Sequence, residues 1–211
     1  VVNIDKWLPL VLLGVASIPE PVARQMISLV LNDFAMKTFA FQRLLSIDVE
    51  AGVRDYYFGE QLDENTALLG LMRVQYLHHN SEQFSTPHTN LGWARCGYGQ
   101  GIQLDPVEHA VLLGSAPSED HPRGLKITVA VAPTPEAIEV DDVAWTLHSR
   151  AIVHGVQERM YSLPQYPWSS LAYARNHAAA YAAAINAAKL TSIMNRMGNT
   201  TQPQLSRRGA L

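Results

Sequence analysis

The stretch from Val140 to Gly198, VDDVAWTLHSRAIVHGVQERMYSLPQYPWSSLAYARNHAAAYAAAINAAKLTSIMNRMG, constrains the fold more than any other. It reads as two long helices joined by a short turn. Asp141 or Asp142 can cap the first, because a short carboxylate ahead of an apolar-periodic run satisfies orphan N–H groups at the positive helix end. Val143, Leu147, Ala151, Ile152, Val156 and Met160 recur near helical period and form one apolar stripe. Pro164 and Pro167 break the helix, and each restricts the residue before it. Ser169 or Ser170 then caps the second helix.

That second helix, with HAAAYAAAINAA at its centre, carries alanine on every face and pairs Tyr181 with Ile185 four residues on. Alanine loses no side-chain entropy on becoming helical, so the segment is helical even where it buries little. About 25 residues at about 1.5 Å each give a rod nearly 40 Å long. Small side chains also admit a neighbouring backbone. The first helix offers Ala144, Ala151 and Gly155 at compatible steps, and the second offers Ala178, Ala182, Tyr181 and Ile185. Two arrangements satisfy this pattern: a hairpin inside a monomer, or a rod contacted on one side by its partner helix and on the other by a second subunit.

Upstream, PEPVARQMISLVLNDFAMKTFA predicts a helix over about 20–40, with Pro21 and Glu20 suited to its first turn and Val22, Met26, Leu29, Val30, Asp33, Phe34 and Lys37 in rhythm. Residues 1–19 read as an extended or irregular arm anchored by Trp7. From Phe41 the period becomes two. Leu45, Ile47 and Val49 alternate with polar residues, and Ala51-Gly52 turns toward VRDYYF, the pattern of a hairpin. Strands are expected at 70–77, on both sides of the glycine-rich GYGQG, and at LKITVAVAP, with a further apolar stretch at HAVLLG. Residues 78–90 read as a loop. The expected architecture is α+β: a helical core from 20–42 and 134–198, a small antiparallel β insertion over 43–133, and a polar C-terminal tail over 199–211.

The 211 residues, 47% of them hydrophobic, suffice for one domain, and a net charge of -3 argues against tight sequence-independent DNA binding. A single cysteine, Cys96, excludes an internal disulfide and a multi-cysteine zinc site. LPLVLLGVA is interrupted by Pro9 and makes a poor signal peptide, and no run approaches the about 20 apolar residues of a membrane span. The expected chain is soluble.

No catalytic set emerges. His78 and His79 are adjacent, His88 and His109 lie in loops, and His148 and His154 are off a shared helical face. Neither a metal nor a cofactor is expected. GYGQG lacks the Lys-Ser/Thr of a phosphate loop. Cys96, Ser28 and Thr38 have no identifiable base. Trp93 either inserts into a partner from a loop tip or caps a small sheet. Trp145 and Trp168 are expected to lock the long helices across their turn, with Pro164 and Pro167 shaping it.

Taken together, Asp33-Phe34 leading through FQRLLSIDVEAGVRDYYF, then Val131-Ala132-Pro133-Thr134, an acidic cap, Gly155, and Leu163-Pro164 through Pro167-Trp168 ahead of a second long helix, resemble the head-to-tail adaptor proteins of short-tailed bacteriophages, the tail tubular protein A group. The resemblance covers residues 20–195, with 78–125 poorly matched and the last helix richer in alanine than the pattern. It implies a dodecameric ring under the phage portal, at the head–tail interface of the virion, assembled in the host cytoplasm. Double-stranded DNA would pass through the channel without specific binding, and no membrane is involved. The long helices would line subunit contacts. Trp93 and Tyr98 would face a downstream tail or nozzle protein, and Gln202, Leu205, Arg207, Arg208 and Leu211 would bind portal. A cellular α+β binding module and a tail-associated hydrolase are the rival classes.

Overall fold

The computed structural model describes the chain except residues 16–17, 79–80, 86–93, 96–100, 106–107 and 197–211. Its helices are α1 (Leu8–Gly14), α2 (Glu20–Thr38), α3 (Asp142–Tyr161) and α4 (Leu171–Arg196). Between α2 and α3 run β2 (Gln42–Val49), β3 (Asp55–Tyr57), β4 (Thr66–His78), β5 (Ser81–Ser85), β6 (Ala94–Arg95), β7 (Gly101–Asp105), β8 (Ala110–Leu113) and β9 (His121–Pro133). Two short strands, β1 (Val2–Asn3) and β10 (Glu139–Val140), pair outside this insertion. The fold is α+β, a helical core carrying an inserted antiparallel β region, as the order of sequence patterns implies.

The β region is two sheets, ordered β2-β9-β4-β5 and β3-β8-β7-β6, instead of one small sheet. β9 lies at the centre of the first, and its Leu125, Ile127, Val129 and Val131 are buried. Toward its end, from Val129 to Pro133, every residue is buried, and α2 lies against the strand. The side chains of Asn32 and Ser28 donate hydrogen bonds to the carbonyls of Pro133 and Pro135, at 2.9 and 2.7 Å.

The expected hairpin of β2 with β3 does not form. Gly52 makes its turn at φ +82°, but Ala51 keeps negative φ, and a tight two-residue hairpin of the commonest type needs positive φ at both central positions. The strands therefore splay: β2 pairs with β9 (Leu45 opposite Ile127) and β3 with β8 (Tyr56 opposite Val111). The 78–90 loop also needs correction, since Ser81–Ser85 pairs with β4. The strand pair flanking the glycine-rich turn is present, with Ala94 opposite Ile102.

The N-terminal arm is not irregular. A 3₁₀ turn over Ile4–Trp7 runs into α1, and Pro9, read as an interruption, sits in the first turn where its missing N–H is harmless. Trp7 is wholly buried, as an anchor should be. In α2 the buried stripe is Ala23, Ile27, Val30, Leu31, Phe34 and Ala35, while Leu29 of the expected rhythm faces outward. The helix ends at Phe39 in the left-handed region, whose N–H closes on the Ala35 carbonyl at 2.9 Å.

The Asp141 side chain caps α3 by accepting from the Val143 N–H at 3.0 Å. Ser170 precedes α4, its carbonyl accepting from the Ala174 N–H at 2.9 Å. Ala151, Ile152, Val156 and Met160 of the expected stripe are buried, but Leu147 is 69% exposed. Gly155 sits where α2, α3 and α4 converge. A Cβ added there would lie 2.7 Å from Val30 Cγ1 and 2.8 Å from Tyr181 Cε2, so only glycine allows this approach.

Candidate functional site

Two polar constellations and one surface stand out in the helical layer. The first centres on Asp33 of α2. Its Oδ2 accepts hydrogen bonds from Lys37 Nζ at 2.8 Å, Arg159 Nη2 of α3 at 2.9 Å and the Tyr181 hydroxyl of α4 at 3.1 Å. One carboxylate thus ties all three helices. Burial alone would raise its pKa, but the Lys37 hydrogen bond and the Arg159 charge outweigh burial and hold it below the usual range. Burial pushes the Tyr181 phenol well up, and the Asp33 charge adds to this, so Tyr181 remains a neutral donor. Arg159 Nη1 is buried without a hydrogen-bond partner among the described residues, which makes the arginine dependent on Asp33. This is a structural joint. The signal for it was a carboxylate inside the apolar rhythm of α2.

The second constellation is a histidine pair that sequence reasoning missed. His154 of α3 and His177 of α4 place their Nδ1 atoms 2.9 Å apart. Comparing histidines within one helix could not find it, because the partner comes from the next helix. Tyr161 stacks on His177 at 15° between planes and 5.6 Å between centroids, and Tyr173 packs on Tyr161. The Tyr161 hydroxyl in turn donates to the Gly14 carbonyl. Burial lowers the pKa of His177, and the neighbouring His154 lowers it further, which favours a neutral ring. His148 is a separate case: it packs against Phe34 and Phe41, and burial alone lowers its pKa.

The surface is the outer side of α4. Tyr181, Ile185, Ala188 and Ser192 are buried on the inner side, while Ala172, Ala179, Ala182, Ala183, Leu190 and Ile193 are exposed. Of the residues expected at subunit contacts, Ala144, Ala151, Gly155, Tyr181 and Ile185 are buried within the chain's own layer. Ala178 is half-buried, and Ala182 alone is exposed.

Trp145 does not lock the interhelical turn. It stands at the opposite end of α3, edge-on to Trp7 at 5.0 Å with Lys6 Nζ 4.6 Å from its ring centroid. Trp168 does sit at the turn, stacked on Tyr166 at 4.6 Å, with Pro164 and Pro167 exposed beside it. Trp93, Tyr98, Gln202, Leu205, Arg207, Arg208 and Leu211 lie outside the described residues.

The nucleophile candidates Ser28 and Thr38 both donate to backbone carbonyls, Thr38 to that of Phe34 at 2.7 Å. Among the described residues no group of three or more His, Cys, Asp or Glu could hold a metal ion, and no helix is long and apolar enough to cross a membrane. No protein-family model matches the chain, and no curated protein sequence matches it significantly.

Proposed function

We propose that the chain is a binding and assembly protein whose contact surface is the outer side of α4. The observation that carries this reading is the asymmetry of that helix. Its inner side is filled by α2 and α3, whereas its outer side exposes Ala172, Ala179, Ala182 and Ala183, with Leu190 58% exposed and Ile193 near it, among the polar side chains of Arg175, Asn176, Asn186 and Lys189. A shallow alanine face lets another helix come close over a long line, and large apolar groups on it gain from being covered.

The specific form we propose is the head-to-tail adaptor of a short-tailed phage. Copies would close into a dodecameric ring, as cyclic assemblies repeat one contact. The ring would bind portal and a downstream tail protein and let DNA pass. The order of elements supports it: α2, a β insertion, then a strand leading through Pro133-Thr134 into a capped helix, the Pro164–Trp168 turn and a second long helix. A second reading is an α+β binding module that acts as a single copy. It is favoured by the burial of five expected contact residues inside the chain, which leaves the helical core complete without a neighbour.

Mass measurement of the purified chain across a concentration range separates the two. A closed oligomer that dissociates on Leu190→Glu supports the ring; a concentration-independent monomer supports the module. Removing residues 199–211 is expected to weaken portal binding while leaving the body folded, and unchanged attachment would refute the role of the tail.

A further inference from the structure

We infer that His154 and His177 form a two-imidazole site for a divalent transition-metal ion, clipping α3 to α4. The argument begins with distance. Metal–imidazole bonds of about 2.0–2.1 Å, set at angles between right and tetrahedral, place two nitrogens about 2.9–3.4 Å apart. The two Nδ1 atoms are 2.9 Å apart. They face one another across two rigid helices, so little ordering remains to be done on binding.

Protonation suits a ligand pair. Two neutral imidazoles at this separation share one proton, with one Nδ1 donating and the other accepting. Moving the donor ring's proton from Nδ1 to Nε2 frees both Nδ1 lone pairs without changing the charge. Orientation is also provided, because Tyr161 stacks on the His177 ring and is itself held by the Gly14 carbonyl.

The chemistry selects the ion. Imidazole nitrogen suits zinc, nickel, copper or cobalt, whereas magnesium and calcium require oxygen. Only two protein ligands converge here, since no third His, Cys, Asp or Glu joins them among the described residues. Water would complete the coordination. Affinity would therefore be moderate, and the role structural: the ion would fasten the C-terminal half of α3 to the N-terminal half of α4, beside the turn that joins them.

The test is zinc chloride titrated into the full chain, read by thermal melting and by the ¹⁵N resonances of the histidine rings. The expected result is a rise of about 5–10 °C at a zinc concentration a hundredfold above Kd, with the His154 and His177 Nδ1 resonances shifting together. Magnesium chloride should do nothing. His177→Gln and His154→Asn keep hydrogen-bonding capacity, so they should fold, yet each should abolish the rise. The inference is overturned if zinc gives no rise, if either variant retains it, or if the shifting ring resonances belong to other histidines.

Discussion

The two sides of α4 use the same residue type for different ends. On the inner side, Ala174 and Ala188 are small so that α4 can close on the rest of the layer, with Gly155 of α3 accepting the Tyr181 ring. On the outer side, Ala172, Ala179 and Ala183 are exposed and contribute chiefly helical propensity within the chain. The inner side is thus intolerant of volume and the outer side indifferent to it. A residue's effect on folding here depends on angular position around the helix, not on its identity.

The sharpest way to break that contrast is to add volume at the inner convergence. Gly155→Val would place atoms against Val30 and Tyr181, where even one Cβ comes within 2.8 Å of each. A loss of about 3 kcal/mol is expected, seen as a drop of about 6–12 °C in melting temperature. Next comes the polar joint. Asp33→Ala removes the acceptor for Lys37, Arg159 and Tyr181, and strands a largely buried guanidinium. About 2 kcal/mol should be lost in urea unfolding, and Asp33→Asn should recover part of it.

A smaller effect is expected from pH. His148 has a folded pKa below its unfolded value of about 6.5 because it is buried against Phe34 and Phe41. Above that value both states are neutral and stability is level. As pH falls below it the unfolded chain takes up the proton first, so stability declines toward the lowered folded pKa. His177 acts with the same sign. The urea midpoint should fall between pH 8 and pH 5.5, less so in His148→Leu. Smallest of all is Ala183→Glu on the outer side. It should change monomer stability by less than about 0.5 kcal/mol, so any large effect on particle mass would isolate the assembly contact.

Local signals were legible in the sequence, and non-local ones were not. Glu20 and Pro21 marked the start of α2, Asp141 the start of α3, and the apolar alternation of β9 its course, because each acts on its own neighbourhood. The partner of β2 was misread because pairing depends on what lies 80 residues away, and the Ala51-Gly52 turn is too weak to dictate it locally. Leu147 kept helical rhythm and still faced outward, since rhythm does not say where the neighbouring elements end. The histidine pair required knowing that α3 and α4 run antiparallel at a particular register. Asp33 was visible as an acid in an apolar stripe, but its meaning came only with Arg159 and Tyr181.

The joint at Asp33 has a temporal consequence. Its partners Arg159 and Tyr181 follow it by 126 and 148 residues. A ribosome adding about 5–20 residues per second would deliver them roughly six to thirty seconds after α2 had emerged. Through that interval the greasy side of α2 has only α1 and the strands to shelter it, and a holdase that grips the nascent chain should find its target there.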